Sequence, residues 1–376
     1  MNNIIRTSCV ICNNKISNIY NIENIPIKLT CLDLIEKYKY ETLSFSQCKN
    51  CLTIQLNKLI PLNILYEDSH NLKSYGKLWE EYFNLMITKI QENINNKNIL
   101  EIGCPSGKIA LKCNNYKKWY IVEPNKNESL ILPPNLYFIE KYFDSEFNIN
   151  DDIDIIIHSH LFEHIYDPNI FLQKCYDLLS DDGEMIFGIP NMEYLANNNL
   201  CLYLGIFFEH TIFMNKQNVT YLLNNNGFEI LEIIDYTNHS IIYHVKKQKQ
   251  KNITNNDVFK IDNYYNKFMS CIDVYNLFID KCNYIITNTN KPVYIFSASY
   301  NTQFLLSLGI KIKYLKGILD NSKEKQNKYF YGFELLIYSP NILLDEDCVV
   351  IIKNSFYENE IIEQIKNINP NTEILN

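Results

Sequence analysis

No stretch of the 376-residue chain reaches the roughly 18 apolar residues that would span a bilayer, and the longest candidate is the short run from Leu200 to Phe208. A membrane span is excluded on that count, and a soluble protein without a membrane partner is expected. A basic surplus is missing as well. Thirty-five Lys and Arg stand against 43 Asp and Glu, a net charge of -8, so there is no broad positive field to collect a phosphate backbone. Nucleic acid is therefore not the expected partner. The opening MNNIIRTSCVICNNK has no apolar core followed by a small-residue cleavage site, which gives the expectation of a cytoplasmic protein. In a reducing compartment the 12 cysteines read as buried hydrophobes or metal ligands rather than disulfides. No tandem repeat of fixed period is present.

What is there suffices for sizeable cores: 47% hydrophobic and 21% charged residues, over a length that suggests two to three domains. Residues 1–70 are irregular and cysteine-bearing. From residue 71 a helical pattern through KLWEEYFNLMITKI gives way to short apolar runs, NILEIG, WYIVEP, LYFIE, DIDIIIHS and EMIFGIP, alternating with helix-like segments. That rhythm predicts a doubly wound α/β domain over 71–246, with strands such as Ile153–Ile157 buried on both faces. The polar, locally basic KKQKQKNITNND predicts a linker at 247–257. Beyond it, a long helix from Val258, the strands PVYIFSA, IKIKYLKGILD and DCVVIIKN, and a last helix around Glu358–Ile368 predict a second, smaller α/β domain over 258–376.

Cys9-Val-Ile-Cys12 and Cys48-Lys-Asn-Cys51 are two CxxC pairs 35 residues apart, the spacing with which two knuckles offer four thiolates to one ion. Zinc is the default, and iron would use the same ligands. Four protein ligands leave no open position, so the metal is expected to be structural, a staple for a segment poor in core residues.

The strand NILEIG runs into Cys104-Pro105-Ser106-Gly107, giving ExGxxxG with Glu101 before the first glycine, and Glu123 ends the next strand, 22 residues after Glu101. Gly103 and Gly107 let backbone approach a ligand, and Glu123 is placed to accept both ribose hydroxyls of a nucleoside. A dinucleotide would use the same logic, but the loop is not GxGxxG and Glu101 would repel a pyrophosphate. S-adenosylmethionine, with its ammonium and sulfonium, suits a carboxylate there. A glycine turn that binds nothing is the bland alternative.

ILEIGCPSG, then IVEPN, then IIIHSHLFEHIYDP resemble, in order and spacing, the motifs of class I S-adenosylmethionine-dependent methyltransferases. With CKNCLTIQL and ILYEDSHNLKSYGKLWEEY ahead of them and ILDNSKEKQNKYFYG near the end, the whole chain is similar to the three-domain sugar C-methyltransferases. That resemblance implies an N-terminal zinc module, a central Rossmann-like methyltransferase domain, a C-terminal Rossmann-like domain, and a sugar acceptor, most often nucleotide-linked. It also places His158 to His160 on the cofactor side and Glu163-His164 behind the cofactor, and Asp144 within reach of the adenine amino group.

The same resemblance aligns Phe207-Phe208-Glu209-His210 with a Tyr-x-Glu-His motif beside the sugar. His210 is then the candidate base, oriented by Glu209. Three positions depart from the family pattern. Pro105-Ser106 replaces Asn-Asp in the glycine loop, Ser297-Ala298-Ser299 replaces a glycine-bearing turn, and Phe207 replaces the tyrosine that would assist an enolate. Since phenylalanine donates no hydrogen bond, O- or N-methylation of a glycan or other small molecule is a rival to C-methylation. A catalytically dead donor-binding scaffold is a further rival.

Overall fold

The computed structural model describes residues 3–35, 37–66, 76–126, 130–198, 207–249, 264–353 and 357–376. Most of the expected linker, part of the YEDSHNLKSYG segment and most of the Leu200–Phe208 run lie outside the described residues.

The central sheet has seven strands, in the order Phe228–Tyr236, Ser240–Lys247, Leu179–Pro190, Ile153–Ser159, Asn98–Ile102, Lys118–Val122, Leu136–Ile139. The last five of these are parallel, and Ser240–Lys247 runs antiparallel to both of its neighbours. Strand order reverses between Asn98–Ile102 and Ile153–Ser159, where a doubly wound sheet opens a crevice beyond its carboxyl ends.

Alternation along Asn98–Ile102 sorts its side chains. Ile99 packs with Trp119, Ile155 and Ile157 beneath Tyr82, Met86 and Ile90 of the helix Lys77–Gln91. Leu100 and Ile102 pack on the other face with Ile156, Phe187 and Phe171 of the helix Pro168–Leu178. That second helix starts where it does because Pro168 occupies its first turn and the Asp167 carboxylate accepts from the backbone N–H groups of Asn169 and Ile170.

A smaller three-stranded antiparallel sheet, Ile16–Pro26, Tyr40–Cys48 and Ile54–Leu56, forms the N-terminal unit. The C-terminal unit carries a second seven-stranded sheet in the order Glu373–Leu375, Val349–Ile352, Val293–Phe296, Gly317–Leu319, Leu335–Tyr338, Tyr329–Phe330, Cys31–Leu32. Its last member comes from the N-terminal segment, which is thus not self-contained. Cys31 pairs with Phe330 and Leu32 with Tyr329, and the Tyr40 hydroxyl donates to the Gly332 carbonyl at 2.7 Å.

Three local expectations need correction. The glycine loop leads into a single 3-10 turn, Ala110–Lys112, rather than a helix. The segment IKIKYLKGILD opens with a 3-10 turn, Ile312–Tyr314, and only Gly317–Leu319 is strand. The strand Ser240–Lys247 runs one residue past the expected boundary, because Lys247 still pairs with Phe228. Of the long helix expected from Val258, residues 258–263 lie outside the described residues, and the described part is Tyr264–Asn288.

Candidate active site and metal cluster

The reversal point of the central sheet holds two cavities that meet at Ile102, Gly103 and His160. One, of about 240 Å3, is lined by Glu123, Phe143, His164 and Tyr66 among others; the second, of about 190 Å3, by Trp79, Phe83, Glu101 and Ser106. Gly103 has φ +79, and a Cβ there would come within 3.1 Å of Leu161, so the chain needs glycine at this turn. Gly107 turns with φ +59.

Glu123 ends its strand on the wall of the larger cavity; Asn125 N–H donates to its Oε1 at 2.9 Å, and burial raises its carboxyl above the ordinary value. Glu101 is 1% exposed and shares the Ile99 face. Trp119 Nε1 donates to its Oε2 at 2.9 Å, and Oε1 has no hydrogen-bond partner among the described residues. Burial pushes this carboxyl up to about 7.

His160 lines both cavities, its φ of 49 turning the chain after the strand Ile153–Ser159. Its Nε2 lies 2.9 Å from Ser240 Oγ, its ring packs 4.6 Å from that of Trp79, and burial drives its pKa down to about 3, so it is neutral. His158 does not share that setting. The alternation of its strand turns it into the core, stacked 4.7 Å from Phe187, with neither ring nitrogen hydrogen-bonded among the described residues. Asp144 lines neither cavity; its carboxylate accepts from the N–H groups of Glu146 and Phe147 at 2.9 and 3.0 Å and closes a local turn.

Beside the larger cavity, side chains from all three units converge. The Tyr66 hydroxyl is 2.9 Å from His164 Nδ1, and the rings of His164 and His210 meet edge-on at 4.7 Å. Glu209 approaches His164 at 3.7 Å and accepts from the Tyr300 hydroxyl at 2.6 Å. Burial, and then the Glu209 carboxylate, hold the Tyr300 phenol well above its ordinary value, so it stays a donor at neutral pH. Tyr300 also stacks on Phe207, centroids 3.8 Å apart, and Phe207 covers His210 at 4.2 Å.

Glu163 is not behind this group but at its centre. Its Oε1 lies 3.5 Å from His160 Nδ1 and 3.9 Å from the Nε2 atoms of both His164 and His210. Burial pushes its carboxyl up to about 7, with His164 pulling the other way. The segment that carries His210 is held by the N-terminal unit. Leu56 N–H donates to the Thr211 carbonyl, Phe213 N–H to the Ile54 carbonyl, and the buried Arg6 guanidinium donates to Thr211 O at 2.9 Å and to Tyr166 O at 2.6 Å.

The sulfurs of Cys9, Cys12, Cys48 and Cys51 lie within 4.8 Å of one another, with Cys9–Cys51 at 3.6 Å and Cys12–Cys48 at 3.5 Å. Four sulfurs bonded at 2.3 Å to a tetrahedral ion would sit about 3.7 Å apart, so the cluster fits one metal ion. Asn13 and Leu52, each just after a CxxC, have φ of 57 and 60, which tightens both knuckles. Asn50 N–H donates to Cys48 Sγ at 3.3 Å.

Of the expected site residues, the structure brings Glu101, Gly103, Glu123 and His160 to the cavities, and Glu209 and His210 to the cluster beside them. Gly107 closes the loop, and Asp144 stays apart. Tyr66, Trp79, Glu163 as a hub and Tyr300 were not anticipated. Trp79 carried a signal, an aromatic on the helix preceding the glycine loop. Tyr300, 91 residues from Glu209, carried none.

This sheet and its loop define a methyltransferase domain: residues 78–233 match the family described as "Methyltransferase domain". Residues 236–373 match "C-methyltransferase C-terminal domain", beginning before the last strand of the central sheet. The chain is an S-adenosylmethionine-dependent methyltransferase whose second matched unit is of the kind found in C-methyltransferases. Similar solved structures include an S-adenosylmethionine-dependent methyltransferase from Clostridium acetobutylicum, 16% identical, covering 50% of this chain and 96% of its own, TM-score 0.35. Another is the N-methyltransferase NodS from Bradyrhizobium japonicum in complex with S-adenosyl-L-homocysteine, 12% identical, covering 46% and 88%, TM-score 0.35. No curated protein matches the chain.

Proposed function

We propose that the protein transfers the methyl group of S-adenosylmethionine to carbon on a small-molecule sugar, most simply a nucleotide-linked keto sugar, with His210 as base. The observation that carries this reading is the convergence of His210, His164, Glu209 and Tyr300 beside the cavity walled by Glu123. The match of residues 236–373 to a C-methyltransferase domain favours carbon over oxygen.

The donor end fits S-adenosylmethionine. Glu123 would accept from the ribose hydroxyls, Phe143 would lie against the base, and the Glu101 Oε1 without a protein partner would take the ammonium, with Gly103 and His160 between. The donor, when bound, supplies the methyl group. The residues of this chain orient the acceptor, exclude water and move one proton.

His210 takes the proton alpha to the ketone, and Glu163, whose Oε1 lies 3.9 Å from its Nε2, stabilises the imidazolium that forms. The developing enolate oxygen needs a donor that Phe207 lacks. Tyr300, stacked on Phe207, supplies one when its hydroxyl turns from Glu209 to the enolate oxygen. The four-cysteine cluster holds structural zinc, which fixes the small sheet that grips Thr211. The net charge of -8 gives no reason to invoke nucleic acid.

The test is methyl transfer from isotope-labelled S-adenosylmethionine to nucleotide sugars offered with and without a 4-keto group. Label on carbon, with keto sugars only, is expected. Label on oxygen would make Phe207 the mark of an O-methyltransferase, and absence of transfer to any sugar would overturn the acceptor class.

A further inference from the structure

We infer that Glu163, His164 and His210 form a binding site for one divalent transition-metal ion, separate from the four-cysteine cluster, and that its occupation withdraws the His210 imidazole from proton transfer. The binding stands on geometry alone; only the consequence for catalysis rests on the reading of His210 as base.

Three donor atoms turn toward one another. His164 Nε2 and His210 Nε2 each lie 3.9 Å from the same carboxylate oxygen, Glu163 Oε1, and the ligand atoms of the three residues fall within 4.8 Å of one another. Ligands bonded at about 2.05 Å to a tetrahedral ion are about 3.4 Å apart, so the two edges to Glu163 need close by only roughly half an ångström and the edge between the histidines by no more than about 1.4 Å. The His164 ring is already oriented, since its Nδ1 is engaged by Tyr66 at 2.9 Å and its Nε2 is left toward the carboxylate. Such an outer partner fixes both tautomer and ring direction in metal-ligating histidines.

The second observation is Glu163 itself. It is 2% exposed, and among the described residues neither of its carboxylate oxygens has a hydrogen-bond partner. A buried carboxylate so placed is costly unless it gains a proton or a cation. Two imidazoles with one carboxylate select zinc, cobalt, nickel or iron over magnesium and calcium, which prefer all-oxygen shells. Of the three ligands His164 lines the larger cavity, the side from which water would reach the ion. Binding releases to solvent whatever protons the Glu163 carboxyl and the two Nε2 atoms carry, and it ties up the Nε2 lone pair of His210.

The experiment titrates cobalt(II) into the full chain purified with its cysteine cluster loaded with zinc, with neither donor nor acceptor present. One further cobalt per chain is expected, with weak visible bands of nitrogen and oxygen ligands and no intense near-ultraviolet thiolate band. Glu163→Gln should weaken that binding tenfold or more, and so should His210→Ala, while magnesium should fail to compete. A thermal melt of each variant separates lost binding from lost folding, and Cys48→Ser should leave the visible bands in place. Only thiolate-type spectra, or cobalt binding unchanged in both folded variants, would overturn the site. Because this titration involves no methyl transfer, a failed acceptor assay leaves its result intact; in an active enzyme, cobalt should inhibit competitively against the acceptor and not the donor.

Discussion

The Tyr300 hydroxyl donates to Glu209 Oε1 at 2.6 Å, from the first turn of a C-terminal helix to a loop of the central unit. The contact joins the C-terminal unit to the cluster around His164 and His210, and it puts a phenol beside Phe207, a ring without a hydroxyl. Tyr300→Phe keeps the stack and deletes the donor. We expect kcat to fall about 100-fold with the donor KM little changed. Steady-state kinetics on a turned-over keto sugar check this, and an unchanged kcat would remove Tyr300 from the chemistry.

Glu123 offers the carboxylate at the cavity wall. Glu123→Ala should weaken S-adenosylmethionine binding by about tenfold or more, the loss of hydrogen bonds to a charged acceptor, while leaving the thermal midpoint of the free protein nearly unaltered. Calorimetric titration reads the first and a melt reads the second.

Glu101 gives a pH signature. Burial raises its folded pKa to about 7, above an unfolded value of 4.5, so the folded protein holds a proton that the unfolded chain releases. Its contribution to stability is complete below the unfolded value and is lost as pH rises through 7, about 3 kcal/mol in all. The buried His158 and His160, lowered to about 3, act in the opposite sense below pH 6.5, and equally in both proteins being compared. Glu101→Gln should therefore gain thermal midpoint relative to wild type between pH 4.5 and 8. Parallel curves would mean that Glu101 ionises normally.

Metal at the cysteine cluster predicts about one zinc or iron per chain by elemental analysis of protein purified without added metal. Cys48→Ser should lower that content and destabilise the N-terminal sheet, and with it the grip on Thr211, so activity should fall although no cysteine touches the acceptor. A folded, metal-free wild type would contradict the assignment.

Much of this was legible in the sequence because it is written in local patterns. Continuous apolar runs separated by helical stretches specify parallel strands, and ExGxxxG with Glu123 one strand later marks the crevice. Paired CxxC motifs need no tertiary knowledge to suggest four sulfurs at one point. The failures share a cause as well. His158 and His160 differ by two residues and should share a face, yet the left-handed turn at His160 sends one to the cavity and the other to the core. The Asp144 carboxylate closes a local turn, which neither the resemblance nor its residue type encodes. Tyr300 and Glu163 depend on how units pack together, and neither spacing nor composition encodes that.

The pairing of Cys31–Leu32 with Tyr329–Phe330 has a bearing on biosynthesis. The Tyr40 hydroxyl and its partner at Gly332 are separated by 292 positions, so the strand Cys31–Leu32 must wait for that length of chain to be made before it is paired. Until then the N-terminal unit can assemble its cysteine cluster but leaves a strand unpaired, a target for mispairing that the arrival of the last sheet removes. The N-terminal strand thus closes the edge of a sheet built from residues about 300 positions further on, and the two units are fastened to each other there.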